Sequence, residues 1–79
     1  MKVFIVICTN EDAWTSIVGV YATIERAILA MDIDRKNTAE GLEQEGHVVS
    51  TGRDEFSAII KYGNEHFYRY TIKAEEVRK

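Results

Sequence analysis

The sequence predicts an α+β fold: a two-layer sandwich in which one long or broken helix packs on one face of a mostly antiparallel sheet, in the chain order ββαβββ. Three observations lead there. Short β-branched and aromatic stretches, separated by turn residues, have the composition and spacing of strands. Between the second and third of them, Ile24, Ala27, Ile28 and Met31 recur at helical spacing. The connections are short and proline is absent, which favours antiparallel neighbours. At 79 residues the chain makes one domain, 1–79, with a thin core and little room for a deep substrate cavity.

The first strand is Lys2 to Thr9, apolar on both faces and therefore expected as a central strand with something covering each side. Asn10-Glu11-Asp12 is a polar turn. Trp14 to Ala22 forms the second strand, with Gly19 marking a bulge or a close contact with the helix and Trp14 expected as a lid on the edge of the core, the alternative being a partly exposed ring available for contacts. Thr23 supplies an N-cap hydroxyl, and Glu25 lies where the helix dipole favours a carboxylate. The helix is expected to run to about Glu45 and to stop at Gly46. Arg35 interrupts its apolar stripe, so a break near Lys36-Asn37, with Asn37 capping a second helix through the Asn37-to-Glu40 spacing, is the alternative. His47 to Thr51 is a short third strand, Gly52-Arg53-Asp54 a turn, and Ala74 to Lys79 a frayed tail.

Phe56 to Ile72 reads as a hairpin about Gly63-Asn64 and holds five of the eight aromatic residues. With a two-residue loop, Tyr62 faces Glu65 and Ile60 faces Phe67. One sheet face then carries Phe56, Ala58, Ile60, Tyr62, Phe67, Arg69 and Thr71, and is the drier set assigned to the helix. The other carries Ser57, Ile59, Lys61, His66, Tyr68, Tyr70 and Ile72. One helix covers one side only, so Ile59, Lys61, His66, Tyr68, Tyr70 and Ile72 are the predicted surface for a protein partner or a second copy.

Composition excludes several function classes. A net charge of −3 lacks the basic footprint of a nucleic-acid binder. The apolar run Val3 to Cys8 is too short to span a membrane or to serve as a signal peptide. The single cysteine, Cys8, forms no internal disulfide and points to a reducing, cytoplasmic setting. His47 and His66 have no second ligand at metal-binding spacing, and Asp32-x-Asp34 lacks the glycine and distal glutamate of a calcium loop. Cys8 lies among Ile and Val without an activating histidine, and the glycines make no phosphate-binding loop. No catalytic residue, metal site or cofactor is predicted. Arg53 and Arg69, beside Lys61, His66 and the tyrosines, form the one cationic set that could take a small nucleotide or another anion.

The start KVFIVI, Asn10-Glu11-Asp12 with Trp14, GVYAT followed by Glu25 and Ala27, and the closing FYRYTI resemble a family of small single-domain α+β proteins of bacteria, phages and prophages whose function is unassigned. The resemblance covers about a third of the chain and implies the fold and a phage or mobile-element setting; it carries no catalytic residues. The expected function is a non-enzymatic interaction protein, such as an accessory protein or an inhibitor of a host or defence factor. Binding of a small nucleotide or anion is the alternative.

Overall fold

The computed structural model describes residues 1–77. Strands β1 (Lys2–Asn10) and β2 (Thr15–Tyr21) precede helix α1 (Ile24–Gln44), and β3 (Val49–Arg53), β4 (Ser57–Tyr62) and β5 (His66–Glu76) follow it, in the expected order ββαβββ. All pairings are antiparallel and the spatial order is β2-β1-β5-β4-β3. The last strand is therefore the middle of the sheet, flanked by β1 and β4.

The β1–β2 turn is built by Asn10, whose Oδ1 accepts from the amides of Asp12 and Trp14, both at 3.0 Å. This projects Trp14 into solvent at 72% exposure, so it is not the lid on the core that its type and position suggested. In the β1–β2 ladder Val6 pairs with Gly19 and Ile7 with Ile17, leaving Val18 as the extra residue of a bulge. Gly19 lies against the Tyr21 ring, rather than the helix, and a Cβ there would come within 2.7 Å of Tyr21 Cζ.

Thr23 caps α1 as expected, its Oγ1 accepting from the Arg26 amide at 3.2 Å. The helix is continuous for 21 residues, and Asn37 lies within it rather than capping a second one. It ends in a Schellman cap: the Gly46 amide donates to Glu43 O and the His47 amide to Leu42 O, both at 3.0 Å, with Gly46 at φ +92°. The cap uses both residues, so β3 begins at Val49, two positions later than the sequence suggests. It then continues through Gly52 and Arg53, which the sequence assigned to a turn. The reversal instead falls at Asp54–Ser57, where the Asp54 amide donates to Ser57 O at 2.8 Å.

The expected frayed tail is strand as far as Glu76, because the start of β1 pairs with it from Val3↔Glu75 to Lys2↔Glu76; the Val77 amide donates to Met1 O at 2.7 Å. The remainder of that expectation, residues 78–79, lies outside the described residues.

The β4–β5 hairpin departs from the expected register by one residue. Its loop has three residues, Gly63, Asn64 and Glu65, with left-handed φ at Gly63 (58°) and Glu65 (68°). Tyr62 therefore faces His66 and Ile60 faces Tyr68. A one-residue slip moves a whole strand to the opposite face. Tyr68, Tyr70 and Ile72 thus share a face with Ala58 and Ile60, while Phe67, Arg69 and Thr71 turn to the other.

Val6, Ala58, Ile60 and Tyr70 from this face form one buried cluster with Ala27, Met31, Ala39 and Leu42 of α1, and Phe4, Cys8, Val18, Tyr21, Val49, Tyr62, Tyr68 and Ile72 pack around it. Helix α1 contacts all five strands. Full burial of a side chain such as Ile60, Met31 or Val6 contributes about 1.5–3 kcal/mol, so these few residues supply much of the driving force of a small domain.

Candidate functional site

The corrected register divides the predicted partner surface. Ile59 and Lys61 lie on one face of the sheet, and His66, Tyr68, Tyr70 and Ile72 on the other. Tyr70 is 1% exposed and cannot touch a partner. Its hydroxyl donates to Asp34 Oδ2 at 2.6 Å and, with its proton so committed, accepts from Thr38 Oγ1 at 3.2 Å. Burial, followed by the Asp34 carboxylate, holds the Tyr70 phenol far above its ordinary pKa. Ile72 is half-buried against the core.

His66 and Tyr68 belong to an aromatic cluster at the end of the sheet where the Asn10–Trp14 turn, the 63–65 loop and the helix C-terminus meet. Tyr62 is its centre. His66 and Tyr68 stack on the Tyr62 ring at centroid distances of 5.2 and 5.6 Å, and His47 meets it edge-on at 5.2 Å. A hydrogen bond with Tyr68, then burial, pushes the Tyr62 phenol up to about 12. His66 Nδ1 lies 2.6 Å from Glu11 Oε1; the carboxylate accepts, so Nδ1 carries the proton. Glu11 Oε2 also accepts from the Phe67 amide at 3.3 Å, and the His66 hydrogen bond is the main cause that lowers the Glu11 pKa. The dyad ties the β1–β2 turn to the start of β5. Among the described residues, no hydroxyl or thiol is hydrogen-bonded to His66 as a nucleophile would be to its base.

The two arginines of the cationic set do not converge. Arg53 donates through Nε and Nη2 to both carboxylate oxygens of Asp32, at 3.1 and 3.2 Å, and through Nη1 to the carbonyls of Asp54 and Glu55. This fork clamps the β3–β4 turn to the helix and lowers the Asp32 pKa. Arg53 pairs with Ala58 and so shares the core-side face, whereas Arg69 pairs with Ile59 on the opposite one, its Cζ 5.5 Å from the Phe67 ring centroid.

That opposite face is the most unusual surface of the molecule. Alternation and pairing put Val3, Ile5 and Ile7 of β1 beside Ile17 and Val20 of β2. Phe67 and Ile59 continue the apolar surface across β5 and β4, with a cationic row of Lys61, Arg69 and Lys73 among them. Ile17 is 66% and Val20 57% exposed. One acid of this face, Glu75, is 3.0 Å from Lys73 Nζ. The face thus bears three cations and one anion on a chain whose net charge is −3. The sequence signal for it is the doubly apolar pattern of β1 and β2, which shows that both faces carry aliphatics. The two-residue loop that Gly63-Asn64 suggests points instead to the Tyr68–Tyr70 face.

Among the described residues, no three His, Cys, Asp or Glu side chains come together to hold a metal ion, and no helix is long and apolar enough to cross a membrane. No family model, curated protein sequence or solved structure matches the chain.

Proposed function

We propose that the chain is a protein-interaction module: a two-layer sandwich in which α1 covers one face of the sheet and the opposite face docks a partner protein. The observation that carries this is the exposure of Ile17 and Val20 beside Ile5 and Ile7, on the face away from the helical core cluster. Exposed apolar surface rimmed by polar groups marks interaction sites. The Lys61–Arg69–Lys73 row favours an apolar segment with acidic flanks as the occupant. A second copy would bring an equally cationic face and meet like charge, so a different protein is the better fit.

The setting we propose is cytoplasmic, which suits one free cysteine, and phage or mobile-element encoded, on the family resemblance of the Asn10–Trp14, GVYAT and FYRYTI stretches. An accessory protein or inhibitor of a host or defence factor needs only such a complementary surface. The test is affinity capture followed by binding isotherms of the captured protein with purified wild type and with Ile17→Ser/Val20→Ser. Weaker binding by the variant, and weakening with added salt, support the reading. Unchanged binding, or a wild-type dimer in sedimentation that the variant abolishes, overturns the proposed occupant.

A further inference from the structure

The buried stripe of α1 contains a polar gap. Ala27, Met31, Ala39 and Leu42 are buried, and between Met31 and Leu42 the helical spacing runs through Asp34 and Thr38. Both positions meet the sheet, since both side chains hydrogen-bond the Tyr70 hydroxyl. The sheet opposite is also small and polar: Cys8 pairs with Ser16 on one side and with Tyr70 on the other. The result is a groove of about 400 Å³ between β2 and α1, lined by Cys8, Ser16, Asp34, Thr38, Tyr68 and Tyr70 among others. That volume is within the range of small-molecule sites.

The charge of the groove is one-sided. The arginines near Asp32 are committed there, Arg53 at 3.1 Å and Arg35 at 3.6 Å, and among the described residues no basic group forms an ion pair with Asp34. Burial pushes the Cys8 thiol up, so it stays neutral near pH 7 and adds no charge. The Ser16 and Thr38 hydroxyls, the Tyr68 and Tyr70 side chains and the aliphatic Ile17 and Val18 complete the lining. Asp34 is half-buried and held at the groove by the Tyr70 hydroxyl, so its carboxylate stands fixed there without a counter-charge.

We propose that this groove binds a small alkylammonium ligand, its ammonium group paired with Asp34 and hydrogen-bonded by the Ser16 and Thr38 hydroxyls, its carbon chain against Tyr68. The carboxylate repels anions. A neutral alcohol of the same shape lacks the charge that Asp34 requires. Ile17 and Val18 border the groove as well, so it opens beside the exposed Ile17–Val20 face; binding of the ammonium does not depend on partner docking.

The test titrates the intact chain with n-butylammonium chloride, followed by amide NMR shifts and by Tm, with sodium chloride at equal ionic strength and n-butanol as controls. The expected result is saturable shifts at Cys8, Ser16, Thr38 and Tyr70, and a Tm that climbs with ligand concentration by mass action. Asp34→Asn keeps an acceptor for Tyr70 and removes the charge; it should weaken binding about tenfold or more, the equivalent of losing a charge-assisted hydrogen bond. Ser16→Leu, at an exposed edge-strand position, fills the groove mouth and should block binding while the fold is retained, which keeps the proposal testable if Asp34→Asn is unstable. Shifts that do not saturate, that either control reproduces, or that persist in Ser16→Leu would overturn it.

Discussion

Tyr70→Phe removes one oxygen atom from the centre of the domain and leaves its ring in place. The structure sets the size of the effect. The hydroxyl donates to a carboxylate at 2.6 Å and accepts from Thr38 at 3.2 Å, and the residue is 1% exposed. A hydrogen bond to a charged partner contributes about 1.5–3 kcal/mol, and the weaker Thr38 contact about 0.5–1.5 kcal/mol. Asp34 is only partly buried, so water recovers some of the loss; the net cost should be about 1.5–3 kcal/mol. Urea denaturation followed by circular dichroism measures it. With a slope near 1 kcal/mol/M for so small a chain, the midpoint should fall by about 1.5–3 M at unchanged slope. In an Asp34→Ala background the same change should cost about 0.5–1.5 kcal/mol, because only the Thr38 contact remains. A Tyr70→Phe midpoint within about 0.5 M of wild type, or an equal cost in both backgrounds, would show that the Tyr70–Asp34 hydrogen bond does not stabilise the fold.

Three further outcomes follow from the hairpin and its surroundings. Ile60→Ala should cost about 2–5 kcal/mol as a core deletion, and Ile59→Ala clearly less, since Ile60 is fully buried and Ile59 lies on the opposite, partly exposed face; denaturant midpoints compare them. Glu65→Gly should stabilise by about 0.5–1 kcal/mol in thermal unfolding, relief of roughly 1–2 kcal/mol of left-handed strain outweighing the greater backbone entropy of glycine. Glu11 has a folded-state pKa below its ordinary value, so its contribution to stability is present above the ordinary glutamate range and is lost as pH falls through that range toward the depressed pKa. A side-chain NMR titration should show the low midpoint in wild type, and His66→Ala should return it toward the ordinary value.

Much of the fold is legible in local chemistry. Thr23 reads as a helix cap because a hydroxyl there can reach a free amide, and Gly46 as the stop because few other residues take φ +92°. The doubly apolar β1 reads correctly as an interior strand, flanked by β2 and β5. The hairpin register is not legible in the same way. Gly63-Asn64 is a good two-residue turn by composition, and nothing about Glu65 announces a left-handed φ. That single residue exchanges the faces of β5 relative to β4 and takes Tyr70 from the proposed surface into the core. The long-range pairing of β5 with β1 is equally silent in a charged sequence such as Ala74–Glu76; it is imposed by the partner strand. The candidate site suffers most, because a surface is defined by register, and register depends on loop geometry more than on the strands themselves.

In the proposed function a partner protein docks on the sheet face that bears Ile17 and Val20. Both side chains are still more than half exposed, so burying the remainder is worth about 1–2 kcal/mol each, and replacing both with serine should cost about 2–4 kcal/mol of binding. The direct measurement is the Kd of the captured partner for wild type and for Ile17→Ser/Val20→Ser, with the urea midpoint of each chain as a check on folding. The variant's Kd should be weaker by roughly 30-fold to 1,000-fold at a midpoint close to wild type. A Kd unchanged in a folded variant would contradict it.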